Sequence, residues 1–328
     1  MTTAKTSGTR QRDMTDKPIS QELTLEQAME LVEDTLCNVV TTDVTVLNDA
    51  SLHILSAGGK RIRPRLAILS YLACSGPDVN VVINPAAALE LVHTASVVHD
   101  DINDHGILRR GRPSVNAIWG RTFALLTGDF LFTKVYELMA PYGDLNVLFS
   151  EATTALVEGE TLQAVAVKEN TYTSEVYMEI IARKTAALFR IGAIMGGRLA
   201  DATEAQIAAL ETFGYNIGLA FQIIDDILDI VGTDAELGKT SGIDLEQGKG
   251  VASIRSDTAQ SDSNTPNALP NTVDTVKQKL LEGTRLERAK LQARQLVESS
   301  INVLDALPDS PYRDALIDLA NNVIYRTR

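Results

Sequence analysis

The chain has 328 residues, 45% of them hydrophobic and 22% charged, with a formal net charge of −13. That balance excludes a disordered chain and repels nucleic acid and anionic lipid heads at long range, so no nucleic-acid partner is expected. Aromatic residues make up only 5% while Ala and Leu abound, which favours helix over sheet.

Residues 1–18, "MTTAKTSGTRQRDMTDKP", are polar and lack an apolar stretch. They read as a disordered N-terminal tail ahead of one domain at 19–328 rather than as a signal peptide. The apolar spacing of 24–36 predicts a helix with Thr24 as N-cap. The run 84–104 predicts another, with Asn84 as N-cap and Pro85 in the first turn, where proline is tolerated. Helical patterns continue at 114–140, 144–168, 173–198, 203–231, 273–306 and 310–327. No alternating strand pattern of convincing length interrupts them, so the fold class is all-α in a single domain. Two loops stand out. Residues 232–250 are Gly-rich and carry Lys239 and Lys249; residues 253–271 are polar, hold two prolines and read as a mobile surface insertion. Cys37 and Cys74 lie far apart without metal-ligand spacing and read as reduced core thiols of a cytoplasmic protein. No run approaches 18 continuous apolar residues, so no membrane span is expected.

The chemistry concentrates in "HDDINDHGILRRGRP" (99–113) and "FQIIDDILDI" (221–230). Each holds the spacing D-D-x-x-D: Asp100, Asp101 and Asp104 in the first, Asp225, Asp226 and Asp229 in the second. Each sits near the C-terminal end of a predicted helix. Residues i and i+4 share a face, so Asp100 stacks on Asp104 and Asp225 on Asp229, at a destabilising cost of about 0.2–0.5 kcal/mol per pair. The negative pole of the helix dipole adds to that repulsion. One such motif is as readily a solvated acidic face. Two, each embedded in apolar helix, call for a cation, and a hard divalent ion such as Mg²⁺ takes carboxylate oxygens together with substrate phosphates. The segment "GGKRIRPR" (58–65) adds Lys60, Arg61, Arg63 and Arg65 at a predicted helix start marked by Pro64, a natural phosphate site. Arg109 and Arg110 form a second basic cluster. Taken singly, each is an ordinary surface charge; together with two metal motifs they suit more than one diphosphate.

These features resemble the trans-prenyltransferases, the polyprenyl diphosphate synthases, over roughly residues 20–328. The resemblance rests on "GGKRIRP" (58–64), "ELVHTASVVHDDINDHGILRRGRPSVN" (90–116), "LTGDFL" (126–131), "RKTAALF" (183–189), "FQIIDDILD" (221–229) and "GKTSGIDLEQGK" (238–249), in that order. It implies an isoprenoid-synthase-type helical bundle around a central cavity and a homodimer. It also implies Mg²⁺-dependent condensation of isopentenyl diphosphate onto an allylic diphosphate, by ionisation, condensation and elimination.

Residue by residue, the resemblance assigns Asp100, Asp104, Asp225 and Asp229 to three Mg²⁺ ions, with Asp101, Asp226 and Asp244 as neighbouring partners. Arg109, Lys184, Lys239 and Lys249 fall on the allylic diphosphate. Lys60, Arg63, His93 and Arg110 fall on isopentenyl diphosphate. Thr185 and Gln222 would steady the allylic cation, and the proton is lost to the released diphosphate. The aspartates and arginines of 99–113 would then meet through metal and diphosphate rather than directly. After Lys249 the chain departs from the family's usual Thr-Leu-Pro and reads "GVASIRSDTAQSDS".

Chain length should depend on the helix carrying Asp100. Ala95 and Ser96, one turn before it, are small where short-chain relatives often place a bulky aromatic; Val92 and Ala88 follow. From Asp100 to Pro85 a helix descends roughly 22 Å, room for about four isoprene units. "HTASVVHDD" also resembles long-chain members. The expected product is therefore a long all-trans polyprenyl diphosphate of about six to ten units, a quinone side-chain precursor destined for a membrane. A geranylgeranyl diphosphate synthase, or one subunit of a heteromeric synthase, is the alternative. A terpene cyclase usually keeps one full D-D-x-x-D. An HD-type phosphohydrolase built on His99, Asp100, His53 and His93 leaves 221–229 without a role. A P-loop at "GTDAELGKTSG" has the wrong spacing.

Overall fold

The computed structural model describes residues 24–231, 249–254 and 284–325. The N-terminal tail, most of the expected insertion at 253–271, and Lys239 and Asp244 lie outside the described residues. The helices are α1 (Leu25–Val39), α2 (Thr45–Ser56), α3 (Ile62–Ala73), α4 (Asn80–Asn103), α5 (Val115–Met139), α6 (Leu145–Glu169), α7 (Ser174–Ile181), α8 (Ala187–Leu199), α9 (Glu204–Val231), α10 (Thr284–Val303) and α11 (Pro311–Ile324). A minimal hairpin, β1 (Leu108–Arg109) and β2 (Arg112–Pro113), pairs Leu108 with Pro113 and Arg109 with Arg112.

Several helices begin where hydroxyl side chains can cap them. Thr24 and Gln27 form a reciprocal capping box on α1. Ser114, Thr173 and Ser310 accept from backbone amides opening α5, α7 and α11, and Pro311 occupies the first turn of α11.

Three expectations are corrected. First, α4 starts at Asn80, not beyond Asn84. The Asp78 carboxylate accepts from the Asn80 amide at 3.0 Å, and the Tyr71 hydroxyl clamps the Asp78 backbone from both sides. The buried Val82, Ile83 and Ala86 then carry the helix through Pro85, which forfeits one hydrogen bond inside it. Second, the pattern 173–198 is not one helix: a π turn, Ala182–Ala186, separates α7 from α8. The stretch 114–140 likewise bends at Gly120, whose φ of 79° belongs to the left-handed region. Third, Cys37 is exposed and only Cys74 is a core thiol.

The bundle has two joined cores. One gathers α1, α2, α4 and α5 around Leu91, Val92 and Ala95; the other gathers α8, α9, α10 and α11 around Phe189, Phe213 and Leu210. Helix α3 lies between them, with Ile68 in the first and Leu69 in the second. By length and composition α4 and α9 are apolar enough to cross a membrane, but most of each is buried inside the bundle. Both are core helices, and both end on an aspartate motif.

Candidate active site

The two acidic helix ends meet. One cavity is lined by Asp104 at the end of α4, Asp226 on α9, Lys184 and Thr185 of the π turn, Gln222, and Lys249. Thus a residue from each D-D-x-x-D faces the same space, with two lysines among them.

Within each motif the carboxylates divide by exposure. Asp101 is 1% exposed, whereas Asp100 and Asp104 keep about a fifth to a quarter of their side chains accessible. Asp101 is held from outside the helix: its Oδ1 accepts from Arg109 Nε at 3.0 Å and Nη2 at 2.5 Å. Burial raises the Asp101 pKa against the pull of Arg109. Burial works against the Arg109 charge in turn, but Asp101 outweighs it and the net shift is upward. This corrects the expectation that aspartate and arginine meet only through metal and diphosphate; one pair meets directly. In the second motif Asp226 and Asp229 are buried and Asp225 is the accessible member. Asp226 accepts from the Tyr177 hydroxyl at 2.8 Å and from Gln222 Nε2 at 2.7 Å. Thr185 Oγ1 donates to Gln222 Oε1 at 2.7 Å, so a relay Thr185–Gln222–Asp226–Tyr177 ties α9 to α7 and the π turn.

Lysines approach the accessible carboxylates. Lys249 Nζ lies 2.6 Å from Asp104 Oδ1. Lys184 Nζ lies 3.7 Å from Asp100 Oδ2 and 2.5 Å from Glu160 Oε1 on α6. Burial opposes the lysine's charge, yet Asp100 and Glu160 outweigh it and the Lys184 pKa is raised. Burial, and then the nearby Asp100, pushes the Glu160 carboxyl up to about 7 despite Lys184. Two carboxylates share one ammonium here. Among the described residues no three acidic, histidine or cysteine side chains converge into a ready-made ion cage. The accessible donors Asp100, Asp104 and Asp225 are all carboxylate oxygens, the set a hard divalent cation takes, and two of them, Asp100 and Asp104, have an ammonium group beside them.

A second cluster lies at the start of α3. Arg61, left-handed at φ 47°, is fully engaged, with Glu33, Glu90 and the Leu55 carbonyl as acceptors. Arg63 is buried with its guanidinium 4.8 Å from the Phe189 ring centroid and its Nε without a hydrogen-bond partner. Burial pulls its pKa down to about 10, while Glu90 and Asp225 act the other way. Burial also lowers Arg110. Burial, together with Arg63, Arg110, Arg109 and Arg61, holds His93 well below the usual imidazole value, so it is neutral. Lys60 is exposed and lines a separate groove with Leu25, Ile62 and Leu319. Of the arginines at 58–65, Arg61 is therefore structural, Arg65 pairs with Glu26 on the surface, and Arg63 is the buried one with an unengaged nitrogen.

Glu160, Tyr177 and Glu90 are the site residues that sequence reasoning missed. The one available signal was Gly159 inside a long helix, since such a glycine marks a close approach. A Cβ there would stand 2.6 Å from the Lys184 amide nitrogen.

A helical bundle with two aspartate-rich helix ends facing one cavity, together with a largely buried basic cluster at the start of α3, defines a class of diphosphate-handling transferase. Residues 44–281 match the family model described as polyprenyl synthetase, and the chain belongs to that family. It is 35% identical over 313 residues to the octaprenyl diphosphate synthase of Escherichia coli (strain K12), covering 92% of this chain and 97% of that protein. It is 43% identical over 235 residues to a short chain isoprenyl diphosphate synthase of Methanothermobacter thermautotrophicus, covering 68% of this chain and 70% of that protein. Among solved structures, a polyprenyl synthase from Caulobacter crescentus complexed with calcium and isoprenyl diphosphate superposes with a TM-score of 0.85. It is 29% identical, over 92% of this chain and 96% of that one. The chain is a trans-prenyltransferase with the all-α fold of that family.

Proposed function

We propose that the chain extends an allylic diphosphate with isopentenyl diphosphate, in a Mg²⁺-dependent reaction, to a long all-trans polyprenyl diphosphate. The observation that carries this is the single cavity joining Asp104, Asp226, Lys184 and Lys249. Asp100, Asp104 and Asp225 are the carboxylates suited to hold the ions, and Asp229 lies buried one turn beyond Asp225. When bound, Mg²⁺ supplies positive charge to the diphosphate oxygens as the allylic C–O bond ionises. Lys184, Lys249 and Arg109 bind and orient that diphosphate. Thr185 and Gln222, already fixed by their hydrogen bond, present oxygen dipoles to the allylic carbons. Arg63 and Arg110 hold the second diphosphate, and neutral His93 can offer it a hydrogen bond without adding a charge. Ile180 and Ile181, which also line the cavity, keep water from the cation until the isopentenyl double bond attacks it; the new C–C bond leaves a cation that loses a proton to the released diphosphate.

The octaprenyl product in the name of the resembling Escherichia coli synthase supports the long-chain reading, as do the small residues one turn before Asp100. The exposed apolar side chains Phe123, Leu125, Leu126 and Tyr136 on α5 and Val147 and Val157 on α6 favour a homodimer, which the molar mass in solution checks. A cytoplasmic location, with product passed to a membrane, completes the proposal; cell fractionation tests it.

Incubating the purified protein with farnesyl diphosphate, isopentenyl diphosphate and Mg²⁺ should give elongated products by mass spectrometry. Chelation of the metal should stop the reaction, and Asp100→Ala should lower turnover at least a hundredfold while the helical circular dichroism persists. Near-normal turnover by Asp100→Ala would falsify the assignment. No elongation by the wild-type chain alone would favour a required second subunit.

A further inference from the structure

We propose that Glu160 is a positioning residue for prenyl transfer: it holds the Lys184 ammonium inside the site while keeping it off Asp100. The inference rests on the reading above and extends it to a residue that no motif marks.

The geometry is built on purpose-made contacts. Lys184 belongs to the π turn Ala182–Ala186, whose extra residue per turn re-aims side chains relative to the flanking α-helix. Three consecutive residues of α6 grip it. Glu158 pairs with Arg183 at 2.6 Å, Gly159 admits the Lys184 backbone, and Glu160 pairs with Lys184 at 2.5 Å. The outer pair is more exposed, with side chains 39% and 53% accessible. The inner pair, at 26% and 27%, sits against Asp100.

The distances assign the inner pair its task. Lys184 Nζ is 3.7 Å from Asp100 Oδ2, too far for a hydrogen bond, and 2.5 Å from Glu160 Oε1. Without Glu160 the nearest anion for the ammonium is Asp100 itself. Lys184 would then close on the carboxylate proposed to bind the metal, as Lys249 already closes on Asp104 at 2.6 Å. Glu160, itself beside Asp100, thus keeps the Lys184 ammonium from closing on that carboxylate and leaves it poised for the diphosphate that the cation brings.

The test is a double-mutant cycle on the full chain, with Glu160→Ala, Lys184→Ala and both together, plus Glu160→Gln. Steady-state constants are measured for farnesyl diphosphate, isopentenyl diphosphate and Mg²⁺. Binding of inorganic diphosphate with Mg²⁺, by calorimetry, gives the same cycle without turnover. Glu160→Ala should raise the half-saturating Mg²⁺ and the KM for farnesyl diphosphate at least fivefold, and change the KM for isopentenyl diphosphate less than twofold. Glu160→Gln, whose amide oxygen can still accept from Lys184, should recover most of that loss. In the Lys184→Ala background, removing Glu160 should have little further effect. Equal losses in both backgrounds, or wild-type constants in Glu160→Ala, would overturn the inference while leaving prenyl transfer intact. A wild-type chain that neither elongates nor binds diphosphate would overturn the functional reading, and this one with it.

Discussion

His93 shares α4 with the first aspartate motif, and its charge state is set by neighbours far along the chain. Burial disfavours the imidazolium, and Arg63, Arg110, Arg109 and Arg61 disfavour it further. Both causes act in one direction, so the folded pKa lies well below the ordinary value of about 6.5. The unfolded chain therefore binds more protons than the folded one once the pH falls below about 6.5, and stability declines from there downward. His93→Gln removes this contribution. The stability gap between wild type and His93→Gln, from denaturant midpoints, should be constant above pH 7 and shift against the wild type between pH 6.5 and 5; a gap independent of pH would mean the imidazole charges freely in the fold. The same residue shows what could be read in advance. Asp100, Asp104 and Asp225 were legible because a repeated D-D-x-x-D places carboxylates on one helix face at local spacing. Tyr177 was not, because the hydrogen bond that gives it meaning reaches across 49 residues to Asp226. Nor was the direct pairing of Asp101 with Arg109, which depends on the hairpin turning Arg109 back onto α4.

At the scale of elements, most helices were readable from period and caps, and the departures have local causes. Pro85 is a start signal by propensity, but buried side chains on both sides of it extend α4 backward to Asn80. The π turn left no trace in the pattern 173–198, because the buried Tyr177, Ile181, Thr185, Leu188 and Phe189 keep helical spacings of three to four residues across it. Its consequence is the packing of α6 on Lys184, which Gly159→Ala tests. Alanine is the better helix former by about 0.5–1 kcal/mol. Against that, its Cβ would lie 2.6 Å from the Lys184 backbone nitrogen and 3.0 Å from the Lys184 Cα, atoms that cannot swing aside as a side-chain end can. Overpacking of this kind costs about 1–3 kcal/mol, so the clash outweighs the propensity. Gly159→Ala should lower the thermal midpoint and displace Lys184, reducing turnover more than it raises the KM for isopentenyl diphosphate. A variant more stable than wild type would show that α6 can withdraw from the π turn freely.

For the whole molecule, product length depends on how far an apolar tail can run from the aspartates along α4. Because that helix begins at Asn80 rather than near Pro85, the wall below Asp100 is about 30 Å long instead of 22 Å, or five to six helical turns. With roughly one isoprene unit per turn, this suits the longer products. The structure also separates the two residues that sequence alone treats as equivalent. Ala95 is fully buried in the core with Val92 and Ala88, whereas Ser96 is half-buried and its Oγ donates to the His93 carbonyl. At 100° per residue, Ser96 lies about 40° around the helix from Asp100, and Ala95 about 140°. Ser96 is thus on the side that carries the aspartates. Ser96→Phe should place a ring across the start of the tail path and shorten the products well below the length the full wall admits, since the block falls only one turn below Asp100. Ala95→Phe should instead overpack the core by about 1–3 kcal/mol, appearing as a lower thermal midpoint with a smaller change in product length. Mass spectrometry of both variants' products, beside their melting curves, separates these outcomes. If Ser96→Phe leaves the distribution unchanged and Ala95→Phe shortens it, the tail descends instead on the face of α4 that carries Ala95.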